Sequence, residues 1–278
     1  MAQIETLMRG WQETRAPVMT ARTVATNRAP VDVICDMLGS VRADQLTTQR
    51  VELFRNMLLK GGMSKITAAR YLSTLRAGCN GYLDHIPLGK LIAELKREPV
   101  RVDCWTRDEV KALMEAAYDF SDHFHEFLMF LFGTGCRRGE ALALQAEDVD
   151  MDRKRIHIHR ALTLEGELQN GTKWGGERWV PMGESAEMSL MMCGPWIGFV
   201  FPRWGQRQVC TMFAKVREKA NVRPFKLHCT RHTAISWALS SGMSLRKASE
   251  IFGVSQGTLE SHYAHYVEEE VSMEWANL

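Results

Sequence analysis

The stretch from Phe127 to Leu144, FLMFLFGTGCRRGEALAL, sets an apolar run against a glycine turn and a second helical run. Phe127 to Phe132 predicts a buried helix, and Gly133-Thr134-Gly135 closes it. Arg137 is thereby delivered to the start of the helix Glu140-Ala141-Leu142-Ala143-Leu144. Taken alone, such a turn says only that one helix ends and another begins. Its meaning depends on what lies outward from it on both sides.

Upstream, Thr106-Arg107-Asp108-Glu109 is a capping-box signature that predicts a helix through about Ala117. Pro99 ends the helical pattern before it, which puts a linker at 99–105 and a second domain at 106–278. The preceding residues read as a small all-helical domain at 21–98, behind a short N-terminal extension at 1–20. Its predicted helices are 30–38, 47–60 (with Val51, Phe54 and Leu58 on one face), 64–79 and 88–97, with Gly61-Gly62 parting the middle pair. Ala68, Leu72, Leu75 and Cys79 form the apolar stripe of 64–79. Lys65, Arg70 and Arg76 fall off that stripe and are candidates for DNA phosphate contacts, or a plain solvated face. Downstream, a strand is predicted at 155–159, then an Asn170-Gly171 hairpin turn leading to the strand Arg178-Trp179-Val180-Pro181. From about 184 the pattern is helical again.

With 278 residues, 45% hydrophobic and 24% charged, the chain is long enough for two packed domains and too well balanced to be disordered. No window is apolar enough to span a bilayer, and residues 1–20 are unlike a secretory signal, so a cytoplasmic protein is expected. Seven scattered cysteines form no CxxC pair and no His/Cys cluster at zinc spacing, and are expected to be reduced core thiols with no metal. Residues 1–100 carry 14 Lys and Arg against 9 Asp and Glu (+5), and the remainder 21 against 24 (−3). The basic excess lies in the first third, where it would attract a polyanion but is more often ordinary solvated charge.

Breaking a phosphodiester without a metal requires fixed cations to offset the charge of the phosphate oxygens, together with an acid or base and a nucleophile. Guanidinium suits the first task, because it stays protonated and grips two oxygens at once. Four segments offer such parts. Thr134 to Glu140 presents Arg137. Lys173 stands just past the hairpin turn. His228-Cys229-Thr230-Arg231-His232 opens a helix running to about Ser240, with His228 and Arg231 on one face at i, i+3. Tyr263 sits in Glu260-Ser261-His262-Tyr263-Ala264-His265-Tyr266. Each segment has a bland alternative, such as a helix stop, a solubilising lysine, a capping histidine or a core tyrosine.

In order and spacing together, the four segments resemble the tyrosine recombinase and phage integrase family, and the likeness covers nearly the whole chain. Arg137 resembles the first catalytic arginine of that family and Lys173 its β-hairpin lysine. His228 and Arg231 are similar to its HxxR pair, with His232 as a supporting neighbour, and Tyr263 is similar to the nucleophile. One position departs from the pattern. Where the family most often has His or Trp after the glycine of Phe252-Gly253-Val254-Ser255, this chain has Val254, which offers no hydrogen bond to a phosphate; His262 and His265 are the nearby replacements.

The resemblance implies a mainly α protein: an N-terminal helical, SAM-like core-binding bundle and a C-terminal mixed α+β catalytic domain with a small antiparallel sheet. It implies a site-specific recombinase that integrates or excises a phage or mobile element through a 3′-phosphotyrosyl intermediate, with no cofactor. The partners implied are double-stranded DNA at specific core sites, three further copies in a homotetrameric synaptic complex, and an accessory DNA-bending protein; no membrane is implied. Two alternatives carry similar residues: a type IB topoisomerase, and a catalytically silent DNA-binding protein of the same fold.

Overall fold

In a computed structural model, residues 2–19, 21–95, 102–171 and 176–267 are described. The chain divides into two compact units, Met1–Glu98 and Pro99–Leu278.

The first unit is helical: α1 (Ile4–Arg15), α2 (Ala21–Leu38), α3 (Thr48–Lys60), α4 (Lys65–Gly78) and α5 (Leu88–Leu95). Thr47 and Ser64 accept hydrogen bonds from the backbone N–H groups of Arg50 and Thr67, which fixes where α3 and α4 begin. Apolar residues three and four apart then line one core, including Val51, Phe54 and Leu58 from α3 and Leu72 and Leu75 from α4. Two expectations are corrected. Residues 1–20 are not a mere extension, because Ile4 and Met8 of α1 are wholly buried and a Cβ on Gly78 would collide with the Met8 sulfur. The helix expected at 30–38 begins at Ala21 and runs through Pro30. Proline has no N–H to give the carbonyl four residues back, that of Thr26. The Arg70 guanidinium donates a hydrogen bond to that same carbonyl, so the interruption is repaired from α4.

In the second unit, α6 (Arg107–Tyr118) opens with the capping box: Thr106 N–H donates to Glu109 at 2.8 Å and Glu109 N–H to Thr106 Oγ1 at 3.2 Å. Next come α7 (Asp122–Thr134), α8 (Arg138–Leu142), five short strands, α9 (Glu184–Cys193), α10 (Gln206–Ala220), α11 (Cys229–Ser240), α12 (Leu245–Phe252) and α13 (Gln256–Tyr263). Aromatic side chains make the core, with Phe124, Phe127, Phe130, Phe201 and Phe213 buried. Trp105, expected at the end of a linker, is wholly buried among Phe132, Phe213 and Phe225, so the unit already includes it.

The strands are β1 (Val149–Asp150), β2 (Arg155–Ile158), β3 (Arg160–Leu162), β4 (Leu168–Asn170) and β5 (Arg178–Pro181). Antiparallel pairing gives a sheet in the order β1-β2-β5 and a separate β3-β4 hairpin. Ile156 faces Val180 on the buried side, and His157 faces Trp179 on the outer side. The Asn170-Gly171 turn is a correction, since Asn170 ends β4 opposite Arg160. The hairpin turns instead at 163–167, where Gly166 has φ +90°. All seven cysteines are free, but only Cys35, Cys79 and Cys136 are buried; Cys210 is exposed. Among the described residues no helix is long and apolar enough to cross a membrane.

Candidate active site

The site begins at Gly135, which ends α7 in the left-handed region at φ +61°. A Cβ there would lie 2.6 Å from Phe252 Cε1, so glycine is required both by conformation and by space. The turn sends Cys136 into the core and leaves Arg137 capping α8. Arg137 donates to Glu140 Oε1 and to the Gly253 carbonyl, each at 2.8 Å. Arg231, from the first turn of α11, is 3% exposed and donates to the Gly135 carbonyl at 2.9 Å and to the Phe252 carbonyl. Two glycine turns far apart in sequence thus aim their carbonyls at the two arginines. Val254, next to the second of these turns, packs against the core.

The sequence did not assign a role to Glu140 or Arg178. Glu140 is 2% exposed, and besides Arg137 it accepts Arg178 NH2 at 2.6 Å and the Arg137 backbone N–H at 2.9 Å. Burial alone would raise its carboxyl, but Arg178 and Arg137 bring its pKa down to about 2. Two guanidiniums therefore meet on one carboxylate, while Arg231 is held by carbonyls. Burial and repulsion from Arg137 push Arg231 down to about 10, so it is charged at neutral pH but short of counter-charge. An anion placed here relieves that deficit.

Beside the arginines lies a short line of rings. His228, at the N-cap of α11, is 5.0 Å from the His232 ring at 83°. Desolvation, followed by His232, Arg231 and Arg137, lowers His228 to about 4, and burial and Arg231 lower His232 as well. Both imidazoles are neutral at neutral pH. Tyr263, which closes α13, is 3% exposed, and its hydroxyl shares a hydrogen bond with His232 Nδ1. Burial outweighs the pull of Arg231 and raises its pKa. His232, expected as a supporting neighbour, is therefore in direct contact with the tyrosine. Tyr266 points elsewhere, donating to the Val102 carbonyl at 3.2 Å, and His265 Nε2 lies 3.2 Å from the same carbonyl.

Arg137, Glu140, His228 and Thr230 border a cavity of about 350 Å³. Lys173 lies outside the described residues; the chain before it is held by Gly171 N–H donating to the His159 carbonyl at 2.7 Å. Lys65, Arg70 and Arg76 are all exposed on α4, with Arg70 also bound to Thr26.

Comparison with known proteins accords with this geometry. The profile described as phage integrase family matches residues 104–270. The tyrosine recombinase XerC of Corynebacterium glutamicum is 28% identical over 88% of this chain and 82% of its own. The prophage integrase IntR of Escherichia coli is 25% identical over 55% of this chain and 41% of its own. Among solved structures, the Tn1549 transposon integrase in complex with a circular intermediate DNA superposes with a TM-score of 0.81 at 16% identity, covering 100% of this chain and 98% of the other. A lambda integrase dimer bound to a core site gives a TM-score of 0.70 at 16% identity, covering 91% and 96%.

Proposed function

The chain belongs to the phage integrase family, and from that premise we propose that it is a site-specific DNA recombinase whose nucleophile is Tyr263. The observation that carries this reading is the pairing of Arg137 and Arg178 with the buried carboxylate of Glu140, together with the buried Arg231 held by carbonyls, two neutral imidazoles and a buried tyrosine. Such a pocket favours an anionic group with several oxygens, and no other group is needed to hold it.

In the proposed reaction, Arg137 and Arg231 grip the non-bridging oxygens of the scissile phosphate and stabilise the charge that grows on them. The Tyr263 oxygen attacks phosphorus while its proton passes to the neutral His232 imidazole against which the hydroxyl lies, with His228 supporting proton transfer and phosphate binding. Lys173 protonates the departing 5′-oxygen. The phosphate ester passes to tyrosine, conserving the bond for a second strand whose 5′-hydroxyl reverses the step. Exposed Lys65 and Arg76 on the basic first unit contact phosphates beyond the cleaved one. The partner is double-stranded DNA at specific core sites, engaged by four copies with a DNA-bending protein assisting, in the course of integrating or excising a mobile element.

Incubation with a nicked core-site duplex, whose cleavage releases a short fragment and traps the intermediate, tests the assignment. Tyr263→Phe is expected to bind DNA and form no covalent adduct, while Tyr266→Phe forms it. The reverse pattern would make Tyr266 the nucleophile. Transfer of strands between two duplexes, rather than relaxation of one, distinguishes recombination from topoisomerase activity.

A further inference from the structure

The outer face of the small sheet carries a group of side chains that the DNA chemistry does not use. The ring of His157 in β2 is stacked at 4.5 Å and 12° on Trp179 of β5, and at 4.5 Å and 18° on His159. The guanidinium of Arg155 covers Trp179, 4.0 Å from the ring centroid. His157 is thus fixed between two rings, yet its Nε2 is shielded from solvent and makes no hydrogen bond. Glu177 Oε2 lies 3.3 Å from that nitrogen, but off its hydrogen-bonding direction. His159 Nε2 is 2.8 Å from Asp148 Oδ1, whose carboxylate is 3% exposed.

One ligand atom each from Asp148, His157 and His159 lies within 4.8 Å of the others. Around a tetrahedral ion with bonds of about 2.1 Å, ligand atoms stand roughly 3.4 Å apart. Closure then requires shifts on the order of an ångström, in side chains of which both histidines are partly exposed. Two imidazoles and a carboxylate match a borderline-soft divalent ion rather than magnesium or calcium. We propose that Asp148, His157 and His159 bind one zinc-class transition-metal ion, with Glu177 in reach as a fourth ligand. This departs from the expectation of no metal, which rested on the absence of zinc spacing; His157 lies on β2 and His159 just past its end, two positions on, and the aspartate reaches them from the 146–148 turn.

Arg160 opposes the ion, since its NH2 donates to the same Asp148 oxygen at 2.7 Å. It also donates to Glu147 at 2.6 Å and to Gln145 at 2.7 Å, so moving aside leaves it partnered. Asp148 Oδ2 stays anchored by the Gln145 N–H at 2.9 Å. A bound ion would brace the 146–148 turn against β2 and the start of β5. Arg178, one residue from Glu177, lies on that strand and holds Glu140. The ion is a brace for the turn and strands, not a participant in cleavage.

The test is calorimetric titration of the full chain, stripped with EDTA and desalted, with zinc and separately with cobalt, alongside thermal unfolding. One equivalent is expected to bind, with Tm rising roughly 5 °C or more at about a hundredfold excess over Kd. His157→Gln and His159→Gln should each weaken binding by about a hundredfold or more. Glu177→Gln, at a residue whose side chain is 73% exposed and whose change leaves folding intact, should weaken it by a smaller factor. His123→Gln should change nothing. Absence of binding, or binding that the His157 and His159 variants leave intact, overturns the proposal.

Discussion

Glu140 has no contact with solvent to speak of, and its charge is matched by arginines on two different elements. Removing one partner of a buried ion network typically costs about 3–5 kcal/mol, because the remaining charges are left unmatched. Glu140→Gln is therefore expected to lower unfolding free energy by about that amount and to loosen Arg137, and urea unfolding with a DNA-affinity measurement checks both. The same residue gives a pH signature. Its carboxyl titrates near 4.5 when unfolded and near 2 when folded, so between these values the unfolded chain holds the extra proton. Its contribution is complete above about pH 4.5 and is lost as pH falls towards 2, a window in which the Glu140→Gln variant should show a shallower decline. Glu109, held near 2 by hydrogen bonds from Arg223, keeps part of the slope in that variant. Parallel acid profiles for the two proteins would remove Glu140 from this role.

At the level of helices and strands, what the sequence made legible was whatever is encoded locally. Arg137, His228, Arg231 and Tyr263 stood out because the order and spacing of their segments together resemble the phage integrase family, although each segment alone had a plain structural alternative. The partners of these residues were not legible, because Arg178 reaches Glu140 from a strand 38 residues away. Asn170-Gly171 suggested a turn into β5 because local turn chemistry does not say which strands pair; β5 pairs with β2 instead. The helix expected at 30–38 fell short for a similar reason, as nothing local announces that Arg70, 44 residues beyond Thr26, will take the carbonyl that Pro30 leaves vacant. That link predicts a division of labour on α4. Lys65 and Arg76, 11 positions apart, share one helix face, whereas Arg70 is turned towards Thr26. Changing Lys65 and Arg76 to Ala should reduce the salt dependence of DNA binding by about one unit of slope each. Arg70→Ala should instead lower stability, by about 1 kcal/mol for the lost bond, with little change of slope. Equal slope changes for all three would place Arg70 on the DNA.

Across the whole chain, positive charge is unevenly shared, with the excess in the first hundred residues while the proposed cleavage groups all lie beyond Thr134. The proposed function thus gives attraction to nucleic acid and the chemistry on it to different compact units. Tyr263 is 3% exposed and its pKa is raised, whereas Tyr82 and Tyr118 are 46% and 61% exposed. Nitration by tetranitromethane, which needs access to the phenolate, should modify Tyr82 and Tyr118 of the free protein and spare Tyr263. Peptide mapping showing Tyr263 modified as fast as Tyr82 would contradict the closed arrangement. A chromosome offers on the order of a million or more chance landing places for each true site. Under the proposed assignment of Tyr263 as nucleophile, a hydroxyl stored against His232 would let the protein land on any of them and leave again without scission, so that fidelity would rest on the release of one side chain as well as on the affinity for a sequence.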